Sequence, residues 1–239
     1  MVVAYCTLNR STLISILKMQ IHALLPMKGH SERVPDKNMR LFAGKPLYHR
    51  IASVLQEMPT IKSIVINTDS KRIAEDAVKN FTKVVIHHRP AEIQGDMVSM
   101  NDIIAYDLSL LQGEYFLQTH STNPLLKLNT LEQAFKKYFE TEKNLDSLFS
   151  VSKLNTRLYW PDGKPVNHNP KELIRTQDLD PLYEENSNFY LFSRSSFFNA
   201  GNCRIGLKPQ MFPVNNLESL DIDEEIDFQL AEYIFTLRN

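Results

Sequence analysis

The apolar run Ile21, Ala23, Leu24 and Leu25, breaking at once into a loop crowded with cations, constrains the fold of this chain more than any other stretch. A short continuous apolar segment is the pattern of a strand buried on both faces in a parallel sheet. In the loop that follows, Lys28, Arg33, Lys37 and Arg40 alternate with Gly29, Ser31, Pro35 and Asn38. Backbone amides and cations can there converge on an anion from one side. The loop lacks the Gly-x-x-x-x-Gly-Lys-Ser/Thr phosphate loop and the Gly-x-Gly-x-x-Gly dinucleotide fingerprint. By residue pattern alone a solvated basic turn fits it as well as an anion cradle.

Downstream, strand and helix patterns alternate. Residues 46–57 are predicted to form an amphipathic helix through Leu47, Ile51, Val54 and Leu55, with Pro46 at its first position. Strands are expected over 62–68, 83–88, 114–118 and 146–152, and helices from 70 through 77, over 99–111 and over 128–138. This alternation predicts an α/β fold with a mostly parallel central sheet, whose ligands sit at the C-terminal strand edges beside Lys28, Asp69 and Arg89. From 153 to about 182 the regular pattern fails at Pro161, Gly163, Pro165 and Pro170, which predicts an irregular inserted arm. At the end of the chain, Ile226, Leu230, Ile234 and Leu237 share one helical face, and the acids of 223–227 crowd the first turn, where the helix dipole favours them.

Two carboxylates stand out. In an extended Asp221-Ile222-Asp223, both acids point to the same side, about 7 Å apart. That spacing suits Mg²⁺, which takes one or two carboxylates and fills its shell with phosphate and water. A helix cap with a neighbouring surface acid fits the same residues. The His87-His88 pair carries no metal expectation, because successive strand residues face opposite sides.

With a net charge of -1, the composition gives no argument for a nucleic-acid or membrane partner, so any anion site is local. Cys6 and Cys203 are the two cysteines, far apart and without ligand spacing, which predicts no disulfide framework. No apolar run reaches the ~20 residues of a bilayer span, and Thr12 to Leu17 is too short for a secretory signal. The expected compartment is cytoplasmic.

Pro26-Met-Lys-Gly-His-Ser-Glu-Arg-Val-Pro-Asp-Lys-Asn38, followed by Phe42-Ala-Gly-Lys-Pro-Leu47, resembles the nucleotide-binding signature of the acylneuraminate cytidylyltransferases (CMP-sialic acid synthetases). Further resemblance lies in Arg89-Pro-Ala-Glu-Ile-Gln-Gly-Asp-Met-Val-Ser99, in Gln118 to Leu125, in Asp146 to Ser152, in Arg175-Thr-Gln-Asp178 with Asn186 to Tyr190, and in Asp221-Ile-Asp223. It covers nearly all of the chain after Met19, leaving residues 1–18 as an extension of little expected importance to the fold. The resemblance implies a three-layer nucleotidyltransferase fold with a dimerisation arm, hence a homodimer. It implies transfer of CMP from CTP to an acidic nine-carbon sugar of the sialic, legionaminic or pseudaminic type, with Mg²⁺ as cofactor. The sugar's anomeric hydroxyl would attack the α-phosphorus directly and release pyrophosphate.

By the same resemblance, Lys28, Asp221 and Asp223 are catalytic and the two aspartates bind metal. Lys28, Gly29, Ser31, Lys37, Asn38, Asp69, Arg89, Asp96 and Ser99 are expected to bind nucleotide. Gln118, Arg175, Gln177, Asn186 and Tyr190 are expected to bind sugar, with Arg175 on its carboxylate. For His120 a substrate contact and a structural role both stay open. The chain departs from the family pattern at Lys28 (Arg in the family), Glu32 (Lys) and Ser187 (usually Gly, where an unusual backbone angle is needed). Glu32 is expected to turn aside and pair with a cation while Arg33 or Arg40 supplies the missing charge, because like charges about 4 Å apart cost on the order of 4 kcal/mol at an effective dielectric of about 20. The rival readings are transfer to the eight-carbon acid KDO and a catalytically weakened nucleotide-sugar binding protein.

Overall fold

A computed structural model describes residues 20–141 and 143–238. The extension over 1–18, with Cys6, lies outside the described residues. The central strand is β1 (Ile21–Leu24), every residue of it buried. Its side chains alternate between the two faces: Ala23 and the following Leu25 join one apolar cluster, Leu24 the other. A strand with both faces covered leaves no polar side chain to water, so its sequence is apolar except for His22, which is buried and hydrogen-bonded to the Ser63 hydroxyl at 2.7 Å.

Around it lie β4 (Ile61–Thr68), β5 (Val84–His88), β6 (Tyr115–Thr119), β7 (Ser147–Leu154), β8 (Leu182–Ser193) and β9 (Pro209–Pro213), in the order β5-β4-β1-β6-β8-β7-β9. The β5/β4, β4/β1, β1/β6 and β7/β9 pairs are parallel, and β8 runs antiparallel to both neighbours. Helices α1 (His49–Glu57), α2 (Lys71–Asn80) and α4 (Leu128–Thr141) pack on one face through Ile51, Leu55, Ile73 and Phe135. On the other face, α3 (Met100–Leu110) and α5 (Arg194–Asn199) pack through Ile104, Leu108 and Phe197. The result is the expected three-layer arrangement on a mostly parallel sheet.

Two sequence expectations are corrected here. Pro46 does not open a helix: it pairs with Leu41 in a hairpin of β2 (Leu41–Phe42) and β3 (Lys45–Pro46), and α1 starts only at His49. The cause is the Ala43-Gly44 turn, with φ of 46° and 81°, the two positive angles that a two-residue hairpin loop requires. The terminal helix α6 (Glu225–Arg238) buries Phe228 and Ala231, whereas Ile226, Leu230 and Leu237 are exposed. It is rolled by aromatic packing, with the rings of Phe228 and Phe235 edge-on to Phe42 at 5.6 and 5.5 Å. That packing also seats Ile222 in a small third core and fixes the acids on either side of it.

Between β7 and β8 the chain forms the irregular arm, held by a Tyr159–Pro165 bridge and one 3₁₀ turn (Thr176–Asp178). Tyr159, Trp160 and Leu173 are exposed on it. Among the described residues no helix is long and apolar enough to cross a membrane.

Candidate active site

The loops leaving the C-terminal ends of β1, β5 and β6 enclose a cavity of about 450 Å³. After β1 the chain stays extended for a bridge between Met27 and Thr68, then turns at Gly29. A Cβ on Gly29 would lie 2.9 Å from that of Ser70, so only glycine fits. Its amide donates to Asp69 Oδ1 at 2.6 Å. Asp69 therefore shapes the loop from behind, and neither it nor Gly29 lines the cavity. Ser99 likewise caps α3, its hydroxyl accepting from the Asn101 amide.

Lys28, Ser31, Lys37, Asn38, Arg89 and Asp96 do line the cavity, together with Arg33, Glu32 and His120. Asn38 braces two walls: its amide donates to the Lys28 carbonyl at 3.0 Å and its carbonyl accepts from the Ser121 hydroxyl at 2.6 Å. Lys28 is paired with Asp96 across the mouth. Arg33 pairs with Asp223 at 2.6 Å. Arg89 is buried and oriented from below: its Nε donates to Asn67 Oδ1 at 2.8 Å, and the Asn67 amide donates to Asp107 Oδ1 at 2.7 Å. His87 bonds the same Asp107 oxygen at 2.8 Å, so this histidine belongs to the buried network.

The Glu32 and Arg40 expectations are corrected. Glu32 faces the cavity and joins no ion pair among the described residues. Arg40 is held outside by both oxygens of Glu225, at 2.5 and 2.8 Å, and by the Phe228 ring 4.2 Å from its guanidinium carbon. Of the two candidates for the extra charge, Arg33 is the one in the cavity wall.

Asp221 and Asp223 flank the buried Ile222, whose amide donates to the Thr122 carbonyl at 2.9 Å. Lys37 Nζ donates to the Ile222 carbonyl at 2.6 Å and so sits between the two acids. Burial pushes its ammonium pKa down while Asp223 and Asp221 hold it up. Burial raises the Asp221 carboxyl, Thr122 opposes by hydrogen bonding, and the Asp223 charge adds to the rise. Asp221 Oδ1 is buried without a partner. An orphaned carboxylate oxygen beside a second acid is a donor set that suits a hard divalent cation. Among the described residues no cluster of three or more His, Cys, Asp and Glu forms a metal cage, so the remaining ligands would be phosphate and water.

The residues expected to bind sugar divide into two groups. Gln118 and Tyr190 are fully buried on β6 and β8, behind the cavity wall, and Asn186 donates to the Ser152 hydroxyl at 3.2 Å. Arg175 and Gln177 lie on the exposed arm, where Arg175 Nε donates to Asp178 at 2.7 Å. None of the five lines the cavity. Ser187 has φ of 56°, the left-handed backbone its place in the motif predicted. Sequence reasoning missed Arg204, whose guanidinium donates to Gln118 Oε1 at 2.5 Å and stacks 3.6 Å above the Tyr190 ring. Nothing around Cys203-Arg204 in the sequence marks it. His120 Nε2 is buried without a partner, and burial with the Arg204 charge pushes its pKa down to about 3, so the imidazole is neutral.

Known proteins resemble this chain over nearly all of its described length. The family described as Cytidylyltransferase matches residues 22–237. CMP-N,N'-diacetyllegionaminic acid synthase of Legionella pneumophila is 31% identical, over 92% of this chain and 97% of that one. N-acylneuraminate cytidylyltransferase A of Danio rerio is 28% identical over 89% of this chain, which spans 50% of the fish protein. Pseudaminic acid cytidylyltransferase of Campylobacter jejuni is 24% identical over 90% of this chain. Among solved structures, a CMP:2-keto-3-deoxy-manno-octonic acid synthetase complexed with CTP superposes with a TM-score of 0.66 at 10% identity, over 92% of this chain and 100% of that one. The 4-diphosphocytidyl-2C-methyl-D-erythritol synthase of Anaerococcus prevotii gives 0.64 at 10% identity, over 93% and 99%, and these two likenesses concern the fold alone. From the basic loop and paired aspartates to the match over nearly its whole described length, this chain belongs to the acylneuraminate-type cytidylyltransferase family.

Proposed function

We propose that this protein transfers CMP from CTP to an acidic nine-carbon sugar, of the sialic, legionaminic or pseudaminic type, and releases pyrophosphate. The observation that carries the reading is the convergence of Lys28, Arg33 and Lys37 in the wall of one cavity at the parallel strand edges, with Asp221 and Asp223 beside Lys37 and Asp223 paired to Arg33. Lys28, Lys37 and Arg33 neutralise and orient the triphosphate, Ser31 and Asn38 shape its bed, and Arg89 anchors the nucleotide from the β5 loop. Asp221 and Asp223 would hold Mg²⁺, which when bound supplies charge stabilisation on the phosphates. Direct attack needs no protein nucleophile, so the chain's task is positioning and charge neutralisation.

For triphosphate to enter, Lys28 must exchange Asp96 for phosphate, and Arg33 must exchange Asp223. Both pairs are half-exposed and so are weak enough to open. A homodimer in which the exposed arm covers a second copy's cavity would bring Arg175 and Gln177 to the sugar; the exposed Tyr159, Trp160 and Leu173 support this. CTP as substrate and a free Cys203 thiol fit a cytoplasmic enzyme.

The deciding experiment is pyrophosphate release from CTP and Mg²⁺ with sialic, legionaminic, pseudaminic and KDO acids offered separately. Turnover with a nine-carbon acid is expected. Turnover with KDO alone would select the eight-carbon rival, and CTP binding without release from any acid would select the binding protein.

A further inference from the structure

Asn67, His87, Arg89 and Asp107 are all buried and are linked end to end beneath the nucleotide cavity. Asn67 and His87 are register partners on β4 and β5, and Arg89, at the next alternate position, keeps up the pairing through its amide to the Thr68 carbonyl at 2.9 Å. Alternate strand residues share a face, and this face meets α3, which carries Asp107. Arg89 reaches the cavity wall. Every hydrogen bond it makes among the described residues goes to a neutral oxygen. Its Nε donates to Asn67 Oδ1 at 2.8 Å, and Nη2 donates to the carbonyls of Asn67 and Met27 at 3.0 and 3.4 Å. Nη1 is left for the cavity.

The carboxylate that compensates this buried cation stands one residue removed from it. Asp107 Oδ1 accepts from the Asn67 amide at 2.7 Å and from the His87 ring at 2.8 Å, while its Oδ2 is buried without a partner. An ionised carboxylate only accepts, so it fixes the Asn67 side chain with the NH₂ toward itself and the carbonyl toward Arg89. Burial pulls the guanidinium pKa down, and the charges of Asp69 and then Asp107 hold it up without touching it. For stability alone, an acid at position 67 in direct contact with Arg89 would serve better, because a buried orphaned carboxylate oxygen is costly. As built, neutral oxygens hold the guanidinium in place and no contacting acid cancels its charge.

We propose that Asn67 is a neutral spacer through which Asp107 positions Arg89, keeping the guanidinium aimed at the cavity and its charge available to the nucleotide. Asn67 and Asp107 are thus positioning residues, and Arg89 is the group that touches the ligand. The inference rests on the cytidylyltransferase reading, in which Arg89 binds CTP.

The test exchanges the two side chains, Asn67→Asp together with Asp107→Asn, in the full-length protein, and reads the Tm and the Kd for CTP with Mg²⁺ present. The new carboxylate would contact Arg89 directly. The new amide nitrogen, with two protons, would serve both that carboxylate and the His87 ring in its other tautomer. Hydrogen bonds and net charge are kept, so the Tm should stay at or above that of wild type. The Kd for CTP should rise about tenfold, because a guanidinium already paired with a carboxylate gives the nucleotide a hydrogen bond closer in strength to a neutral donor's than to a charged one's. Asn67→Asp alone, in which two facing carboxylates share one proton, should raise the Kd similarly, and it decides if the exchange variant misfolds. An unchanged Kd in a folded variant would overturn the proposal. So would failure of both variants to fold, since the spacer would then be a structural need. Arg89→Met should raise the Kd for CTP at least as much as the exchange does. A Kd equal to wild type in Arg89→Met, or no CTP binding by wild type, would instead defeat the underlying reading of the site.

Discussion

Replacing Asp221 by Asn should make the metal-free protein more stable and the enzyme much slower. The wild-type carboxylate is mostly buried and one of its oxygens has no partner. An unsatisfied buried acceptor costs about 1–3 kcal/mol, and a charged one more. Asparagine removes the charge and keeps an oxygen for Thr122. Against this, Lys37 loses one of its two neighbouring carboxylates, a loss of at most about 1 kcal/mol for a partly solvated pair. Its bond to the Ile222 carbonyl is untouched. The net expectation is a gain of about 1 kcal/mol, or a rise in Tm of about 2–4 °C for a chain of this size. Thermal unfolding of both proteins in chelator-treated buffer measures it. Adding Mg²⁺ and CTP should then stabilise wild type by mass action and the variant far less, with turnover down tenfold or more. A Tm below that of wild type without metal would show that Asp221 is a structural residue, and full Mg²⁺-dependent turnover in the variant would end its assignment as a ligand.

Arg33→Ala should raise the KM for CTP about tenfold with little change in stability, since its ion pairs are half-exposed. Arg40→Ala should do the reverse, lowering the urea midpoint through loss of the Glu225 pair and the Phe228 contact while the KM for CTP stays within about twofold. Hydrogen bonding from Arg40 holds the Glu225 carboxyl down at about 2, so its contribution is present above the ordinary glutamate pKa and lost as pH falls toward 2. Urea midpoints measured across that window should therefore fall more steeply for wild type than for Glu225→Gln, and parallel curves would refute the pairing. Ser187→Val should destabilise by about 1–2 kcal/mol, because a β-branched side chain at a φ of 56° clashes with its own backbone, whereas Ser187→Gly should stay within about 1 kcal/mol of wild type.

What the sequence determined by itself is whatever local chemistry dictates. A short, mostly apolar run that breaks into a polar loop is the pattern of a strand covered on both faces, as β1 is, and alternate residues in extended chain share a side, which places Asp221 and Asp223 together. The left-handed angle at Ser187 was also legible, because the motif that the segment resembles usually has Gly at that place. Tertiary structure decided what depends on distant partners. Arg33 and Arg40 are equivalent in sequence, yet one reaches the cavity and the other is claimed by Glu225, 185 residues away. The buried face of α6 was chosen by Phe42, and the start of α1 by a hairpin that outcompeted a proline's preference for a first helical turn. Arg204 was invisible for the same reason: a lone arginine in a loop acquires meaning only when the antiparallel pairing of β6 and β8 puts Gln118 beside Tyr190 and leaves a buried place for its charge.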